Sequence, residues 1–411
     1  MVLPQGDRGD FARVSDSQKV RVVRYGIEGL NSFATILYFN YLYFFMRARF
    51  GFNDRQNLAL AALLGLFYAV AAWQAGKLAH RLGYFTTLKL GFSVMLAGLI
   101  AGAPLTSAPG HILAACVVTA GMCAIWPTLE ALVSEGEARA DVPRAVGIYN
   151  IVWAVAYATA FFTGGKIIEW FGFKAMFYLP ALIMVFLMAL TFWLQRRAAE
   201  TPINAPGSGP ANTLPSDGSL PAPARADAFL RMAWLSNPFA YIAINTLLAV
   251  LPGVADKFHL STGLAGVVCS LWCFARLAAF IVLWCWSGWH YRFRWLLTAF
   301  ALLVVSFVAI LTIPNLFVVL MAQLFFGGAV GLIYYSSLYY SMETSGAKSE
   351  HGGIHEAAIG LGNCLGPAVG ACSLQFAARS PNSGALGVAG LLCLGLAGLI
   401  WIQLSSRTKR N

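Results

Sequence analysis

Charged residues are scarce in this chain of 411 residues. Asp, Glu, Lys and Arg together make up 11% of it, against 59% hydrophobic residues, whereas about a quarter of the residues in soluble domains are charged. The mean hydropathy of +0.68 points the same way. This composition excludes a soluble globular protein and predicts a chain that crosses a membrane many times.

Residues that build metal centres and disulfides are also few. The sequence has six His and eight Cys, and all eight Cys fall inside apolar stretches. No His-x-x-Glu-His or Asp-x-Asp-rich stretch occurs, and no nucleophile and base are spaced as catalysis requires. We therefore expect no catalytic residue, no metal, no cofactor and no disulfide framework. The net charge of +11 comes without a basic run interleaved with aromatics, so no nucleic-acid partner is expected.

One long stretch, residues 195–227, is polar throughout. It contains six Pro, three Gly and no aromatic residue, and such a segment cannot bury a core. We predict a flexible linker at 195–228 between two bundles at 25–194 and 229–405, with tails at 1–24 and 406–411. The linker would act as a strap that lets the two bundles tilt.

Twelve apolar runs reach the length of about 20 residues that a spanning helix needs. Six precede the linker and six follow it, so the predicted fold class is an all-α membrane protein of two six-helix bundles. Spans 1 to 12 are predicted at Tyr25–Met46, Asn57–Leu78, Tyr84–Ala103, His111–Val133, Ala145–Ile168, Phe173–Leu194, Phe229–Leu251, Thr262–Ser287, Trp295–Ile313, Leu316–Ser341, Gly353–Ala377 and Gly384–Ser405.

Lys and Arg are concentrated in the loops that share a side with the N-terminus. Because cytoplasmic loops carry the excess of these residues, we expect both termini and the linker in the cytoplasm. The expected location is the plasma membrane, which would be the inner membrane of a bacterium.

The two halves repeat each other weakly. Trp73 and Arg81 at the end of span 2 recur as Trp284 and Arg292 at the end of span 8, and two further short matches keep the same order. Duplicated six-helix halves are typical of one large class of transporters, which bind substrate between the halves near mid-membrane.

Two motifs carry a resemblance to a known family. The segment between spans 2 and 3 contains Gly76, Arg81 and Gly83 in the pattern G-x-x-x-D-R-x-G-R, with His80 and Tyr84 in place of the usual acid and base. Span 11 contains Gly353, Gly362, Gly366, Pro367 and Gly370 in the pattern G-x8-G-x3-G-P-x2-G. Over essentially its whole length, the chain resembles the 12-helix type of the major facilitator superfamily, whose antiporters carry the second pattern in span 5.

The resemblance implies a central cavity lined by spans 1, 4, 7 and 10. Polar or aromatic side chains recur at helical spacing on these spans, although such groups also join helices to one another as packing contacts. Arg276, near the middle of span 8, is added because a buried charge in a membrane is a functional candidate. The candidate cavity residues are Asn31, Thr35, Tyr38, Trp126, Tyr241, Asn245, Arg276, Tyr335 and Tyr339.

Four further ionisable residues lie within apolar spans: Glu28, Glu130, His355 and Glu356. We consider them for proton coupling or gating, with a salt bridge or a helix cap as the structural alternative. Gly362, Gly366, Pro367 and Gly370 are expected to allow close helix packing, and together with small residues of span 2 to form a sliding contact between the halves.

We therefore predict a monomeric secondary transporter that moves a small organic molecule by alternating access among membrane lipids. Coupling to protons is a hypothesis, and the span 11 motif favours an antiporter working in efflux. Two alternatives stay open: an uptake symporter for a sugar or organic acid, and a lipid flippase or non-transporting sensor with the same fold. The cavity aromatics suit a sugar or ring, and Arg276 suits an anion, so the sequence leaves the substrate undecided.

Overall fold

The computed structural model describes residues 7–134, 142–200, 226–345, 350–377 and 379–408. Within these ranges the regular secondary structure is entirely α-helical. The helices are α1 (Asp7–Phe50), α2 (Asp54–Leu82), α3 (Tyr84–Gly102), α4 (Ala108–Ser134), α5 (Val142–Phe171), α6 (Ala175–Glu200), α7 (Ala226–Lys257), α8 (Thr262–Cys269), α9 (Leu271–Cys285), α10 (Phe293–Thr312), α11 (Leu316–Ser345), α12 (Glu350–Phe376) and α13 (Ser383–Thr408).

The helices α1 to α6 form one half, and α7 to α13 form the other. The predicted span 8 corresponds to α8 and α9 together, so spans 9 to 12 are α10 to α13. Among the described residues, ten segments are long and apolar enough to cross a membrane by these criteria alone. Helices α1 and α12, whose apolar sequences are interrupted by polar residues and glycines, bring the number of predicted spans accounted for to twelve. The predicted all-α fold of two six-helix bundles is confirmed.

Several helices, α7 at Ala226 among them, extend into residues predicted as tails or linker. α1 already begins at Asp7, within the predicted tail 1–24, and α13 continues to Thr408. α6 reaches Glu200 because residues 195–200 are good helix formers, and Pro202 follows shortly after. Residues 201–225, most of the predicted linker, lie outside the described residues. The helices therefore continue past the residues at which the sequence changes from apolar to polar.

Span 8 is divided where an unbroken helix, Thr262–Ser287, was predicted. Ser270 separates α8 from α9, and its hydroxyl donates a hydrogen bond to the Val267 carbonyl at 3.0 Å. A serine that bonds back onto the preceding turn bends a helix. α9 then ends at Cys285 because Trp286 has an extended backbone.

Large apolar side chains are exposed on the outer helices. Leu182 and Phe186 on α6, and Leu394 and Trp401 on α13, are each more than half exposed. Large exposed apolar patches are rare on soluble monomers, whereas lipid covers such side chains in a membrane.

The most extensive contact between the halves joins α2 and α12. A Cβ added at Gly65 on α2 would overlap the backbone of Asn363 and Cys364, and one added at Gly360 on α12 would overlap the backbone of Ala69. Glycine on both helices therefore allows the two backbones to touch, as small residues do at interfaces between membrane helices.

The span 11 glycine motif is only partly in that contact. Gly362 and Gly366, one helical turn apart, face the carbonyls of Pro238 and Ile242 on α7 of the same half. Gly370 faces Leu58 on α2. The expectation that the whole series slides between the halves is wrong for Gly362 and Gly366, because their face of α12 is turned toward α7.

We predict that Gly65→Ala destabilises the protein by about 1–3 kcal/mol, the typical cost of overpacking. The methyl group would meet backbone atoms, which cannot rotate away. Thermal unfolding of the purified protein measures the effect. Gly390→Ala is the control, since nothing lies within 4 Å of a Cβ at that helical position. Equal melting temperatures for the two variants would contradict the close contact.

Candidate functional site

A cavity of about 150 Å³ lies between the two halves. This is about ten times the space that one water molecule needs, enough for a small organic molecule. Helices α1, α2, α4 and α5 line it from one half, and α7, α9, α11 and α12 from the other. The lining residues are Thr35, Ile36, Phe39, Asn40, Tyr43, Ala61, Leu64, Gly65, Tyr68, Thr119, Met122, Trp126, Glu130, Tyr149, Trp153, Tyr157, Tyr241, Ile244, Asn245, Leu248, Arg276, Tyr334, Ile359 and Asn363.

Aromatic rings dominate this lining, and we call the following nine residues the aromatic lining: Phe39, Tyr43, Tyr68, Trp126, Tyr149, Trp153, Tyr157, Tyr241 and Tyr334. Three of them, Tyr149, Trp153 and Tyr157, are spaced four residues apart along α5, so they lie on one face of the helix. Tyr and Trp combine a large apolar surface with one polar atom. The cavity therefore suits a ligand with a flat apolar body.

Arg276 contributes a positive charge to the cavity wall. It lies on α9, six residues after the break at Ser270, and is only 2% exposed. The centre of its guanidinium group is 4.4 Å from the ring centroids of Trp153 and Tyr157 and 5.0 Å from that of Trp272. Both halves thus surround it with aromatic rings, at cation–π distance.

Within the described part of the chain, two nitrogens of the Arg276 guanidinium group lack the polar partners that a buried arginine normally has. Its Nε and Nη2 atoms are buried without a hydrogen-bond partner among the described residues, and none of the ion pairs found there involves Arg276. Leaving a buried charge unpaired costs free energy. Aromatic rings interact with the flat face of the guanidinium group, but they cannot accept hydrogen bonds from all of its in-plane N–H groups.

Other residues of the lining also keep unpaired polar atoms. Thr35 Oγ1, Asn40 Nδ2 and Trp126 Nε1 are each buried without a hydrogen-bond partner in the described part of the chain. Each of these groups can donate a hydrogen bond. In contrast, Asn245 is paired, and its Nδ2 donates to Asn363 Oδ1 at 2.5 Å.

Polar contacts join the two halves at one end of the bundle. We call this end the short-loop face; it is formed by residues 51–53, 103–107, 172–174, 258–261 and 313–315. Here Arg47 Nη1 contacts Asp54 Oδ1 at 2.8 Å, and Arg47 Nε contacts Asp256 Oδ2 of the other half at 2.6 Å. One arginine therefore joins the two halves.

A second polar contact joins α5 to α8. Glu169 Oε1 accepts a hydrogen bond from the Gly263 amide at 2.6 Å, in the first turn of α8, where the helix dipole favours a negative charge. Nearby, Tyr41 donates to the Phe161 carbonyl at 2.5 Å, and Gly266 leaves room for the Tyr41 hydroxyl. These contacts need small residues at the start of span 8.

Aromatic packing joins the halves toward the opposite end. A Cβ at Gly147 on α5 would overlap the ring of Trp284 on α9. Trp153 stacks on Tyr334, with ring centroids 5.6 Å apart, and on Phe280 at 6.4 Å. The contact is made of rings rather than ion pairs, in contrast to the short-loop face.

Comparison with known proteins identifies the family. The family model described as Major Facilitator Superfamily matches residues 27–238, which is just over half of the chain. The chain belongs to the major facilitator superfamily. As a member, it is a multi-pass membrane transporter and not an enzyme.

Solved structures of other superfamily members share its fold. The nucleoside transporter NupG matches with a TM-score of 0.69 at 14% identity, over 93% of this chain and 98% of that one. A bacterial homologue of the human lysosomal transporter Spinster, crystallised inward-facing, matches with 0.66 at 13% identity, over 96% and 97%. The human organic anion transporter MFSD10 matches with 0.63 at 14% identity, over 93% and 99%.

Several of the residues predicted from the sequence for the substrate cavity do line it. Thr35, Trp126, Tyr241, Asn245 and Arg276 do so. Glu130, predicted for coupling or gating, lines it as well.

Four predicted cavity residues lie outside this lining. Asn31 is fully buried near the start of the membrane part of α1, and its side-chain atoms have no hydrogen-bond partner among described residues. Tyr38 packs edge-on against Phe177 of the same half. Tyr335 and Tyr339 pack against the indole ring of Trp289. Tyr38, Tyr335 and Tyr339 thus pack inside one half rather than between the halves.

Glu28 is fully buried just outside the cavity lining. Ser32 donates a hydrogen bond to Glu28 Oε1 at 2.6 Å, and the hydroxyl of Tyr149 is a second partner. Since Tyr149 lines the cavity, it connects the Glu28 carboxyl group to that space. His355 and Glu356 lie in α12, but their side chains are outside the described residues.

The motif between spans 2 and 3 forms a tight turn. α2, which includes Gly76, ends at Leu82, and α3 begins at Tyr84, so Gly83 alone connects them. Its φ of 77° is a conformation that glycine adopts without steric cost. Arg81 is exposed, and Pro367 of the second motif lies inside α12.

The aromatic lining of α5 was not predicted from the sequence. Trp153 and Tyr157 were assigned only to an apolar span, as was Tyr149. Their four-residue spacing is the signal that could have identified them, because it continues over two turns of one helix face.

We predict that Arg276→Met stabilises the ligand-free protein by about 1–3 kcal/mol, because an apolar side chain of similar length removes a buried charge that has no acidic partner among the described residues. Thermal unfolding in detergent checks this. Arg294→Met is the matched control, because Arg294 also lies over a tryptophan ring, that of Trp295, but is exposed. Strong destabilisation by Arg276→Met would mean that the guanidinium group is a structural element of the bundle.

Proposed function

We propose that the chain is a secondary active transporter that carries a small organic molecule through the central cavity by alternating access. The observation that carries the proposal is a cavity lined by both halves, with polar contacts between the halves at the short-loop face. A substrate between two halves gains access to the short-loop side when these contacts break.

The energetics of the short-loop contacts suit such a motion. The Arg47 and Asp256 side chains are 28% and 62% exposed, and exposed ion pairs contribute about 0–1 kcal/mol. Contacts this weak can be exchanged for others of similar strength. A bound molecule then shifts the populations by its difference in affinity for the two states.

We further propose that the short-loop face is extracytoplasmic, because the Lys and Arg residues are concentrated in the loops of the opposite side. In this orientation the face with the polar contacts between the halves is the outer one, and the protein belongs in a plasma membrane. The relatives with this fold carry names as different as nucleoside transporter and organic anion transporter, so the substrate must be argued from the cavity itself.

Accessibility of a cavity cysteine tests alternating access. Tyr241 lines the cavity from the middle of α7, so Tyr241→Cys reports which side reaches it. A membrane-impermeant thiol reagent is applied to either side of the membrane, and labelling of position 241 is quantified by mass spectrometry. Adding Arg47→Gln and Asp256→Asn should raise labelling from the short-loop face, by up to about fivefold for a contact worth 1 kcal/mol.

Arg231→Gln provides the matched control for this experiment. Arg231 pairs with Asp227 within one helix at 2.8 Å, so losing that pair should not change the side from which position 241 is labelled. Labelling confined to one face in both backgrounds would contradict alternating access.

We propose proton coupling through Glu28 and Glu130. Glu28 is linked to the cavity by Tyr149, and Glu130 lines it directly. A buried carboxyl group beside a substrate site can exchange a proton as the site opens and closes. Efflux by antiport is favoured over uptake only by the glycine motif in α12, and the direction of coupled flux decides between them.

We predict that Glu28→Gln and Glu130→Gln make transport insensitive to a pH gradient while preserving the shape of each side chain. The assay uses proteoliposomes and the compound that gives the largest stabilisation in a thermal-shift screen of metabolites. Asp227→Asn, on the exposed surface of α7, should leave the response intact. If flux through the unmodified protein is equal with and without the gradient, proton coupling is wrong, although alternating access would stand.

A further inference from the structure

We propose that the molecule bound in the central cavity is an organic oxyanion with a flat apolar body, held at its charged end by Arg276 and along its body by the aromatic lining. This inference rests on the proposed function, because it takes the cavity to be the substrate site. It adds the chemical class of substrate, which neither the fold nor the family decides.

The charge of the ligand follows from Arg276. A guanidinium group stays protonated, and this one is buried with two of its nitrogen atoms unpaired. Glu130 is the acidic residue in the lining, but no hydrogen bond or ion pair joins it to Arg276 in the described part of the chain. Among the residues whose side chains the structure describes, no carboxylate pairs with this positive charge, so a ligand anion would supply the missing partner.

The kind of anion follows from geometry. Trp153, Tyr157 and Trp272 surround the guanidinium group at 4.4–5.0 Å, and their π-systems stabilise a cation without accepting hydrogen bonds from its in-plane N–H groups. These N–H groups match two oxygen atoms of a carboxylate, sulfonate or phosphate group, which arginine binds in bidentate fashion. Thr35, Asn40 and Trp126 add unpaired donors from the other half of the lining, so the cavity is rich in donors.

The body of the ligand follows from the rest of the lining. Nine rings surround a space of about 150 Å³, and rings of this kind stack on flat apolar groups. A small inorganic anion would satisfy Arg276 but leave the rings without a partner. A neutral ring would stack but leave the charge unpaired. The combination of the two features therefore selects a ligand that has both.

A panel of matched probes tests this on the purified full-length protein by calorimetry. The anions 2-naphthoate and 2-naphthalenesulfonate should bind. Neutral 2-naphthamide should bind at least about tenfold more weakly because it loses a charge-assisted hydrogen bond. The cation 2-naphthylmethylammonium and inorganic phosphate should give no detectable heat. A preference for naphthoate over naphthalenesulfonate, or the reverse, identifies the oxyanion group.

Variants of Arg276 then assign the charge recognition. Arg276→Gln should weaken 2-naphthoate binding about tenfold or more, and Arg276→Lys should lie between Gln and the unmodified protein because lysine cannot bind two oxygens in a fork. Arg294→Gln is the control and should bind 2-naphthoate normally. Each empty variant is checked by size-exclusion profile and melting temperature, so that a folding defect is recognised.

Four results would overturn the proposal: no binding of either naphthalene anion at millimolar concentration, equal binding of amide and anion, binding of inorganic phosphate as tight as that of naphthoate, or unchanged binding in a folded Arg276→Gln variant. These results are independent of the cysteine-labelling experiment. Labelling from both faces without naphthoate binding would reject the substrate class and keep the transporter mechanism; the reverse would reject alternating access.

Discussion

In a membrane, a charge buried away from water must find its partner inside the protein or in a ligand. Arg276 is subject to this constraint at the centre of the molecule. Three aromatic rings shield its guanidinium group, yet they belong to both halves, since Trp153 and Tyr157 lie on α5 and Trp272 lies on α9. The group that needs an anion is therefore also a group through which the halves touch, and an anion bound there would act directly on their contact.

The contacts between the halves differ along the membrane normal. At the short-loop face they are an exposed ion pair and a carboxylate on a helix N-terminus, and toward the opposite end they are stacked rings. Between them, Gly65 and Gly360 allow the α2 and α12 backbones to touch. A close contact of small residues without interlocking side chains can slide, whereas ion pairs must break. This division suits a rocking motion about the middle of the bundle.

The sequence-derived candidates for the site fall into two groups, and the helix surface explains the division. On α1, Thr35, Phe39 and Tyr43 follow one another at four-residue steps and line the cavity. Tyr38, three residues after Thr35, lies on the neighbouring part of the surface and packs on Phe177. Helical periodicity predicts which residues share a face to within about one position, but it does not say how the helix is rotated against its neighbours.

The amino-acid sequence alone determined that the chain crosses the membrane twelve times in two halves, because hydropathy and length are local properties. It also identified Arg276, because a charge in an apolar span stands out in any context. Only the tertiary structure decided that Trp153 and Tyr157 surround this arginine, since an aromatic residue in an apolar span can equally face lipid, core or cavity. It likewise decided that Gly362 and Gly366 face α7 while Gly65 meets α12, because the rotation and crossing of helices depend on contacts between residues far apart in the chain.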